Sequence, residues 1–196
     1  MSRREEQTEG TRAALLAAAR ELFSERGYAA VGTEEIVQRA RVTRGALYHH
    51  FADKKDLFRG VHEQMEGELT AAIGAELAQA AAEDPLEGLA TGVRSFLDAC
   101  TDPRLARIVL LEAPSVLGWA EWREIDERYG LGLVMAGLQG AMDGGSLRAQ
   151  PVKPLAHLML GALGEAAMVI ANAEDPAGAR EDVEPALLAL LDGLRE

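Results

Sequence analysis

The sequence predicts an all-α protein with about nine helices. Alanine and leucine dominate the 196 residues, 48% of which are hydrophobic, whereas β-branched residues are sparse, and this balance favours helix over strand. Apolar residues recur at intervals of three and four through most of the chain, as they do in amphipathic helices. Proline and glycine interrupt this period at several points, which predicts separate helices joined by short breaks.

The first two predicted helices precede a tight break at Arg41-Val42. Residues 11–26 carry one apolar face, and Gly27 suits the left-handed conformation that ends many helices. Thr33 is expected to cap the second helix, because a threonine hydroxyl can accept a hydrogen bond from the first helical turn.

The third predicted helix follows that break. Thr43 is expected to cap it, and Leu47 and Phe51, four residues apart, form its inward face. Two short helices joined by a turn of three or four residues match the helix-turn-helix arrangement.

The fourth predicted helix runs from Lys54 to about residue 82, with apolar residues at four-residue steps. Asp53 is expected to cap it, and Asp56 completes a variant of the capping box. Five further helical segments are predicted at residues 85–101, 104–113, 121–142, 154–173 and 183–196.

Charge divides the chain into two unequal parts. The formal net charge is −12, yet residues 1–60 hold 11 basic and 9 acidic residues, whereas residues 61–196 hold 9 basic and 23 acidic residues. The mildly basic front hints at a charged partner for that end, and the acidic remainder is attributed to solubility.

No apolar run appears long enough to span a bilayer, and the first residues lack the apolar stretch of a signal peptide, so a soluble cytoplasmic protein with no membrane partner is expected. Cys100 is the single cysteine, which excludes an internal disulfide and a multi-cysteine zinc site. It is expected to be a small buried hydrophobe rather than a redox sensor.

The segment TRGALYHHF, residues 43–51, carries many large polar groups and little to bury. In a helix-turn-helix, the second helix enters the major groove of DNA with its N-terminal residues against base edges. Arg44 would reach O6 and N7 of guanine, while Gly45 and Ala46 would allow close approach, with Ala46 also able to touch a thymine methyl. Further hydrogen bonds to phosphates or bases are expected from Tyr48, His49 and His50. The segment therefore predicts double-stranded DNA as a partner.

Lys54 and Lys55 stand at the positive end of the fourth predicted helix, where cations are disfavoured by up to about 1 kcal/mol. A DNA phosphate bound there would relieve this repulsion, and the alternative is that both lysines are simply solvated. His49 and His50 beside Asp53 could suggest a metal site. Adjacent helical positions point about 100° apart, however, so no metal site is expected, and no cofactor is expected either.

The stretches FSERGY, TEEIV and ARVTRGALYHHFADKKDLF together resemble the N-terminal domain of the tetracycline-repressor (TetR) family of transcriptional regulators, from about Thr11 to Val61. The resemblance implies a DNA-binding domain at residues 1–53 and a helical ligand-binding and dimerisation domain at residues 54–196. It also implies a ligand-responsive regulator, most often a repressor, that binds an inverted-repeat operator as a homodimer and is released by a small molecule.

Roles follow from the resemblance position by position. It implies phosphate contacts by Thr33, Thr43 and Lys54, base contacts by Arg44, Gly45 and Ala46, backbone contacts by Tyr48 and His50, and either role for His49. The family often has glycine where this chain has Arg41. If that position needs a positive φ, arginine costs roughly 1 kcal/mol.

The last two predicted helices hold more leucine and methionine than one edge of a protein usually buries. The resemblance implies a four-helix dimer bundle, with two helices from each chain, and the alternative is ordinary intrachain core. It also implies a pocket among the middle helices, for which the candidates are Met65, Phe96, Glu112, Trp119, Trp122 and Met135. Flexible methionines and an acidic domain favour a hydrophobic or cationic effector.

Two other functions stay open. A helical DNA-binding regulator could answer to a protein partner, in which case the middle helices would form a closed, filled core. A helical enzyme or small-molecule carrier finds less support, because the sequence shows no metal cluster, nucleophile–base pair or phosphate loop, and His62 and His157 are isolated.

Overall fold

A computed structural model describes residues 3–81 and 84–195, and within these ranges nine helices follow one another without a strand. The predicted all-α class is confirmed. The first five helices are α1 (Arg3–Arg26), α2 (Thr33–Ala40), α3 (Arg44–His50), α4 (Lys54–Ala81) and α5 (Pro85–Cys100).

The next two helices are composite. Helix α6, residues 103–117, passes from Pro103–Leu105 through a π-helical segment, Ala106–Glu112, into Ala113–Leu117. Helix α7, residues 119–143, likewise passes from Trp119–Asp126 through π-helical Glu127–Leu131 into Gly132–Asp143. The helical segment predicted at residues 104–113 is therefore too short: the chain stays helical through Pro114, where a break was expected, and turns only at Gly118, whose φ is 91°.

The last two helices are α8 (Val152–Asn172) and α9 (Pro176–Asp192). The prediction that the final helix starts at residue 183 is wrong by almost two turns. The Asp175 carboxylate accepts a hydrogen bond of 3.1 Å from the Gly178 N–H, so the proline–glycine stretch forms the first turn of α9. Pro185 lies inside the helix.

The helix-turn-helix is built by local capping. Gly27 has a φ of 81° and ends α1 as predicted. The Thr43 hydroxyl accepts a hydrogen bond of 3.2 Å from the Ala46 N–H, which confirms that Thr43 caps α3. The predicted capping by Thr33 is wrong, because Gly32 occupies the cap position, makes no side-chain bond, and leaves Thr33 as the first helical residue.

A reciprocal cap begins α4. The Asp56 N–H donates to the Asp53 carboxylate at 2.7 Å, and the Asp56 carboxylate accepts from the Ala52 N–H at 2.8 Å. The predicted variant of the capping box is confirmed, although Asp56 reaches back to Ala52 rather than to Asp53.

One hydrophobic core runs through the described residues from α1 to α9. At its front, the rings of Phe23, Tyr28 and Phe58 pack together with centroid separations of 5.3 to 5.7 Å. Helix α4 contributes Phe58 to this cluster and continues back along α5. Helix α4 is therefore shared by the two ends of the molecule.

Helix α8 corrects the expectation about apolar length. The helix has 21 residues and its most apolar stretch of 18 has a mean hydropathy of 1.5, so by length and composition it could cross a membrane; 33% of that stretch is buried inside the protein. Cys100, by contrast, is buried in the core as predicted.

Candidate nucleic-acid interface and internal cavity

Helix α3 divides its side chains between two faces. Leu47 is fully buried and Phe51, just after the helix, is nearly so, and both hold α3 against the core. Arg44, Gly45, Tyr48 and His49 are exposed, while Ala46 and His50 are half-buried. The structure thus brings the predicted base- and phosphate-contacting residues of α3 together on one outward surface.

Arg44 is held across that surface by two neighbours. Its Nη1 lies 2.8 Å from Oε1 of Glu34 in α2, and its guanidinium lies 5.6 Å from the centre of the Tyr48 ring. The Arg44 side chain is 63% exposed, so this ion pair is weak and can open when another acceptor arrives. The ion pair between Arg44 and Glu34 was not predicted from the sequence, which indicated only that Glu34 suits the first turn of α2.

Gly45 is not required by the packing of the protein. A Cβ built at this position would meet only the Thr43 hydroxyl, at 3.9 Å. The reason for a glycine here, close approach to DNA, therefore remains a prediction.

Arg41 occupies the turn between α2 and α3 in the left-handed region, with φ 56° and ψ 38°. It is the one non-glycine residue with positive φ in the described chain. Position 41 therefore has the positive φ that makes a glycine favourable there, and arginine costs roughly 1 kcal/mol relative to glycine. Its side chain is exposed beside the start of α3.

Lys54 and Lys55 are bound within the protein, so the view that they are simply solvated is wrong. The Lys54 Nζ donates to the carbonyl oxygens of Tyr28 and Val31, each at 2.9 Å, and lies 4.0 Å from the centre of the Tyr28 ring. Partial burial lowers the pKa of Lys54, and the charge of Glu112 opposes that shift. Lys55 donates to the Leu117 carbonyl oxygen at 2.9 Å.

Glu112 reaches the loop between α1 and α2 from the other side. Its Oε2 accepts a hydrogen bond of 2.7 Å from the Tyr28 N–H. Its Oε1 fills the space beside Gly27, where a Cβ would come within 2.5 Å of it. Glu112 therefore joins α6 to the end of α1 and does not line the cavity described next.

A cavity of about 540 Å³ opens among the helices behind this front region, between α4, α5, α6, α7, α8 and α9. Three of the six predicted pocket residues, Phe96, Trp119 and Trp122, line it. The placement of the other three was wrong: Met65 is buried in the core, Glu112 binds Tyr28, and Met135 packs against the core outside the cavity. The middle helices are therefore not a closed, filled core.

The cavity wall is mostly apolar. Its charged residues are Glu66 from α4, Arg123 and Asp126 from α7, and the exposed Glu165 from α8. Burial raises the pKa of Glu66 to about 8, with a further contribution from the charge of Asp126. Burial also raises the pKa of Asp126, while Arg123, which donates to it at 2.7 Å, opposes that shift.

His62 lies one helical turn before Glu66, with its Nε2 3.9 Å from Glu66 Oε1. Burial lowers the pKa of His62 to about 4, so its ring is neutral near pH 7, and neither ring nitrogen has a hydrogen-bond partner in the described residues. Cys100 lines the cavity nearby, and burial raises the pKa of its thiol to about 12. A thiol in that state is unreactive, as expected for a structural cysteine.

Glu66, Arg123 and Asp126 were missed from the sequence. The spacing of His62, Glu66 and Ile73 at i, i+4 and i+11 would have placed Glu66 on the inward face of α4. The predicted apolar face, at four-residue steps, instead runs through Met65, the residue next to Glu66.

An apolar surface lies on the outside of the last two helices. We call Leu158 and Val169 of α8 and Leu190 of α9 the outer leucine face, and these residues are 73%, 45% and 55% exposed. Gly161 and Gly164 of the same helix line the cavity, and a Cβ built at either would meet no atom within 4 Å. The outer leucine face therefore consists of the exposed apolar side chains alone.

Two matches to described families cover most of the chain. Residues 15–61 match the bacterial regulatory proteins of the tetR family, and residues 86–194 match the tetracyclin repressor-like C-terminal domain. The transposon Tn10 TetC protein of Escherichia coli is 31% identical over 157 residues, which are 80% of this chain and 78% of that protein.

Solved structures share the whole architecture. A TetR-family transcriptional regulator from Pectobacterium atrosepticum is 38% identical, with a TM-score of 0.87 over 100% of this chain and 98% of that one. RolR in complex with resorcinol has a TM-score of 0.74 over 95% of this chain and 89% of its own, and at 22% identity it shows the fold alone. The helix-turn-helix at the front, the helical body behind it and these matches agree: the chain belongs to the TetR family of DNA-binding transcriptional regulators, and not to an enzyme family.

Proposed function

We propose that this protein is a ligand-responsive repressor, which binds an inverted-repeat operator as a homodimer and leaves it when a small molecule fills the cavity. The observation that carries the proposal is the shared helix α4. Its first residue, Lys54, holds the α1–α2 loop, which leads into the helix-turn-helix, and its later residues Glu66 and Ile73 line the cavity. Anything that displaces α4 from the cavity side also acts on the DNA-binding side.

On DNA, the outward surface of α3 would enter the major groove. Arg44 would exchange Glu34 for a guanine edge, and Gly45 and Ala46 would meet the bases directly. Phosphate contacts are assigned to Thr33, Thr43 and Lys54, with Tyr48, His49 and His50 along the sides. Thr33 keeps this role although it does not cap α2, because as the first residue of that helix it is only half-buried.

Lys54 can bind a phosphate without giving up its bonds inside the protein. An ammonium group has three N–H donors, and two of them are directed to the carbonyl oxygens of Tyr28 and Val31. The third is available to a phosphate oxygen. Lys54 would then connect the DNA backbone to the loop that Glu112 holds from α6.

The outer leucine face is proposed as the dimer contact, with α8 and α9 of two chains forming a four-helix bundle. Large exposed apolar side chains on two neighbouring helices favour packing against a second copy of the chain across a two-fold axis. A dimer contact through α8 would also explain why this helix is so apolar along its length. We propose a cytoplasmic regulator in which residues 1–53 form the DNA-binding domain and residues 54–196 form the ligand-binding and dimerisation domain.

Release follows from linkage between the two sites. An effector lowers operator affinity only if it binds more tightly to a dimer whose α3 helices are wrongly spaced for the two half-sites. Displacement of α4 by a ligand in the cavity would change that spacing. A regulator that answers to a protein partner instead finds less support, because it needs no cavity of about 540 Å³.

The test is operator selection from random double-stranded DNA with the full chain, followed by a compound screen for release. We expect an inverted repeat whose half-site centres are a whole number of helical turns apart. Selection of a single, unrepeated site would overturn the proposed dimer. A complete absence of releasing compounds would overturn ligand response.

A further inference from the structure

Glu66 lacks a positively charged partner in the described cavity wall. Glu66 is only 8% exposed and lines the cavity, yet its carboxyl group makes no hydrogen bond to any described residue. Its near neighbour His62, at 3.9 Å, lies beyond hydrogen-bond distance. A buried carboxylate in this position requires a cation or a proton.

Arg123 does not supply that cation. It is the one basic residue on the described cavity wall, and its guanidinium is directed to Asp126 at 2.7 Å and to Glu127 at 3.2 Å. Arg123 therefore neutralises acidic residues of its own helix, α7. Glu66 is left as an acidic group that faces a mostly apolar cavity.

Aromatic rings line the same cavity. Trp119 and Trp122 pack with ring centroids 4.9 Å apart, and Phe96 lines the cavity from α5. Trp119 is 69% exposed, which places this pair where the cavity meets solvent. Aromatic faces attract organic cations, especially when a carboxylate lies within the same apolar site.

We propose that the cavity binds an organic cation, an apolar molecule that carries one amine or quaternary ammonium group, with its positive charge directed to Glu66. The inference rests on the proposed function and names the effector class for that cavity. A hydrogen-bond acceptor on the ligand would gain further affinity from the Trp122 Nε1–H, which is buried without a partner in the described residues.

Binding of such a cation is coupled to loss of one proton. Without ligand, burial raises the pKa of Glu66 to about 8, so its carboxyl group holds a proton near pH 7. The groups around it are His62 on α4, Cys100 on α5, and Asp126 with its partner Arg123 on α7. His62 and Cys100 stay neutral at this pH, so the proton that the cation displaces comes from Glu66 and leaves to solvent.

The experiment compares three probes of similar shape: benzyltrimethylammonium, its neutral carbon isostere neopentylbenzene, and the anion phenylacetate. Both tryptophans of the chain line the cavity, so intrinsic fluorescence reports binding directly. We expect the cation to bind at least about tenfold more tightly than the neutral isostere, and the anion to bind least. Affinity for the cation should rise with pH up to about 8, by at most about tenfold per pH unit.

Glu66→Gln is the diagnostic variant, since it keeps the shape of the side chain and removes its charge. It should lose about tenfold or more in affinity for the cation and bind the neutral isostere unchanged. Glu68→Gln is the matched control, because Glu68 lies two residues further along α4, exposed and paired with Arg20 outside the cavity. Its affinities should equal those of the wild type.

Equal or weaker binding of the cation than of the neutral isostere, or no binding of the cation up to millimolar concentration, overturns the inference. If Glu66→Gln does not fold, the pH series with wild-type protein tests the role of Glu66 in its place, and an affinity for the cation that does not change with pH overturns the inference. A neutral compound that releases operator DNA while the cation does not would remove the inference and leave the proposed function standing. Failure of every compound to release DNA would instead count against the proposed function.

Discussion

The Glu112 carboxylate accepts a hydrogen bond of 2.7 Å from the backbone N–H of Tyr28, across 84 residues of sequence. Tyr28 belongs to the loop that follows α1, and Glu112 ends the π-helical part of α6. Lys54 binds the carbonyl oxygen of the same Tyr28. The backbone of one residue is therefore held by α4 and by α6 at once, which ties the front of the molecule to two helices of the cavity wall.

Glu112→Ala should lower the free energy of unfolding by about 1–2 kcal/mol, because the partly buried Tyr28 N–H loses its acceptor. Glu112→Gln keeps an acceptor oxygen and should recover most of that loss. Urea denaturation measures both. Glu124→Ala is the control, since Glu124 is a largely exposed partner of Arg128, and it should change stability by less than about 0.5 kcal/mol. Equal stability of the alanine variant and wild type would contradict the role given to this bond.

Arg44→Ala should weaken binding to the selected operator by about 1–3 kcal/mol and relax the preference at one base pair of each half-site. The loss reflects the two hydrogen bonds that a guanidinium makes to guanine. Fluorescence anisotropy with a set of single-base operator variants measures it. Arg128→Ala removes an exposed arginine from α7 and should leave the base preference intact. An unchanged preference in the Arg44 variant would show that this residue does not read a base.

Lys54→Ala should weaken binding to every DNA sequence alike and reduce the slope of log affinity against log salt by about one. The neighbouring Lys55→Ala is a matched comparison, because Lys55 is directed to the Leu117 carbonyl oxygen and to Glu121. We expect it to leave the slope nearly unchanged. Should the two variants show the same slope as wild type, Lys54 does not contact phosphate.

Leu158→Asp should dissociate the proposed dimer, because it places a charge in the centre of the outer leucine face. Sedimentation velocity would show a monomer at concentrations where wild type is dimeric, and operator affinity should fall with it. Leu111→Asp alters an exposed leucine on α6, outside that face, and should remain dimeric. Persistence of the dimer in the Leu158 variant would place the interface elsewhere.

The pH dependence of stability should differ between wild type and Glu66→Gln. Burial raises the pKa of Glu66 from 4.5 to about 8, so the folded state retains a proton that the unfolded chain has released. That contribution to stability is complete below pH 4.5 and is lost as pH rises towards 8. The difference in unfolding free energy, wild type minus variant, should therefore decrease across this window, as measured by urea denaturation at several pH values. A constant difference would mean that Glu66 titrates normally.

His62 acts in the opposite direction and is common to both proteins in that comparison. Its pKa is lowered to about 4 in the folded state, so its contribution to stability is lost as pH falls below 6.5. Because His62 lies 3.9 Å from Glu66, its contribution cancels only above pH 6.5, where its ring is neutral in the folded and the unfolded state of both proteins. The difference therefore isolates the carboxyl group between pH 6.5 and 8.

Features that depend on neighbouring residues could be predicted from the sequence. Leu47 and Phe51 face inward because their spacing alone places them on one side of α3, and Thr43 caps that helix through a bond three residues away. Thr33 failed as a cap for the same local reason, since Gly32 already has the extended backbone that precedes the helix. Position 41 adopts a positive φ despite its arginine, as the turn requires.

The cavity was less accessible to prediction, because packing decides which apolar residues border empty space. Met65 and Glu66 are adjacent in the sequence, yet Met65 enters the core and Glu66 faces the cavity. Glu112 looked like a pocket residue from its apolar surroundings, and its true partner lies 84 residues earlier. No local pattern contains such a pairing.

The π-helical segments Ala106–Glu112 and Glu127–Leu131 both contribute to the cavity wall, through Val109 and Gly130 among others. A π turn accommodates one more residue than an α turn, and its movement along a helix shifts the residues it passes by about 1.5 Å and about 100° without breaking the helix. A π turn that moved along this wall would therefore change its shape in a discrete register step rather than by gradual bending. Compounds that fit this regulator should accordingly fall into a few distinct size classes, each matched to one register.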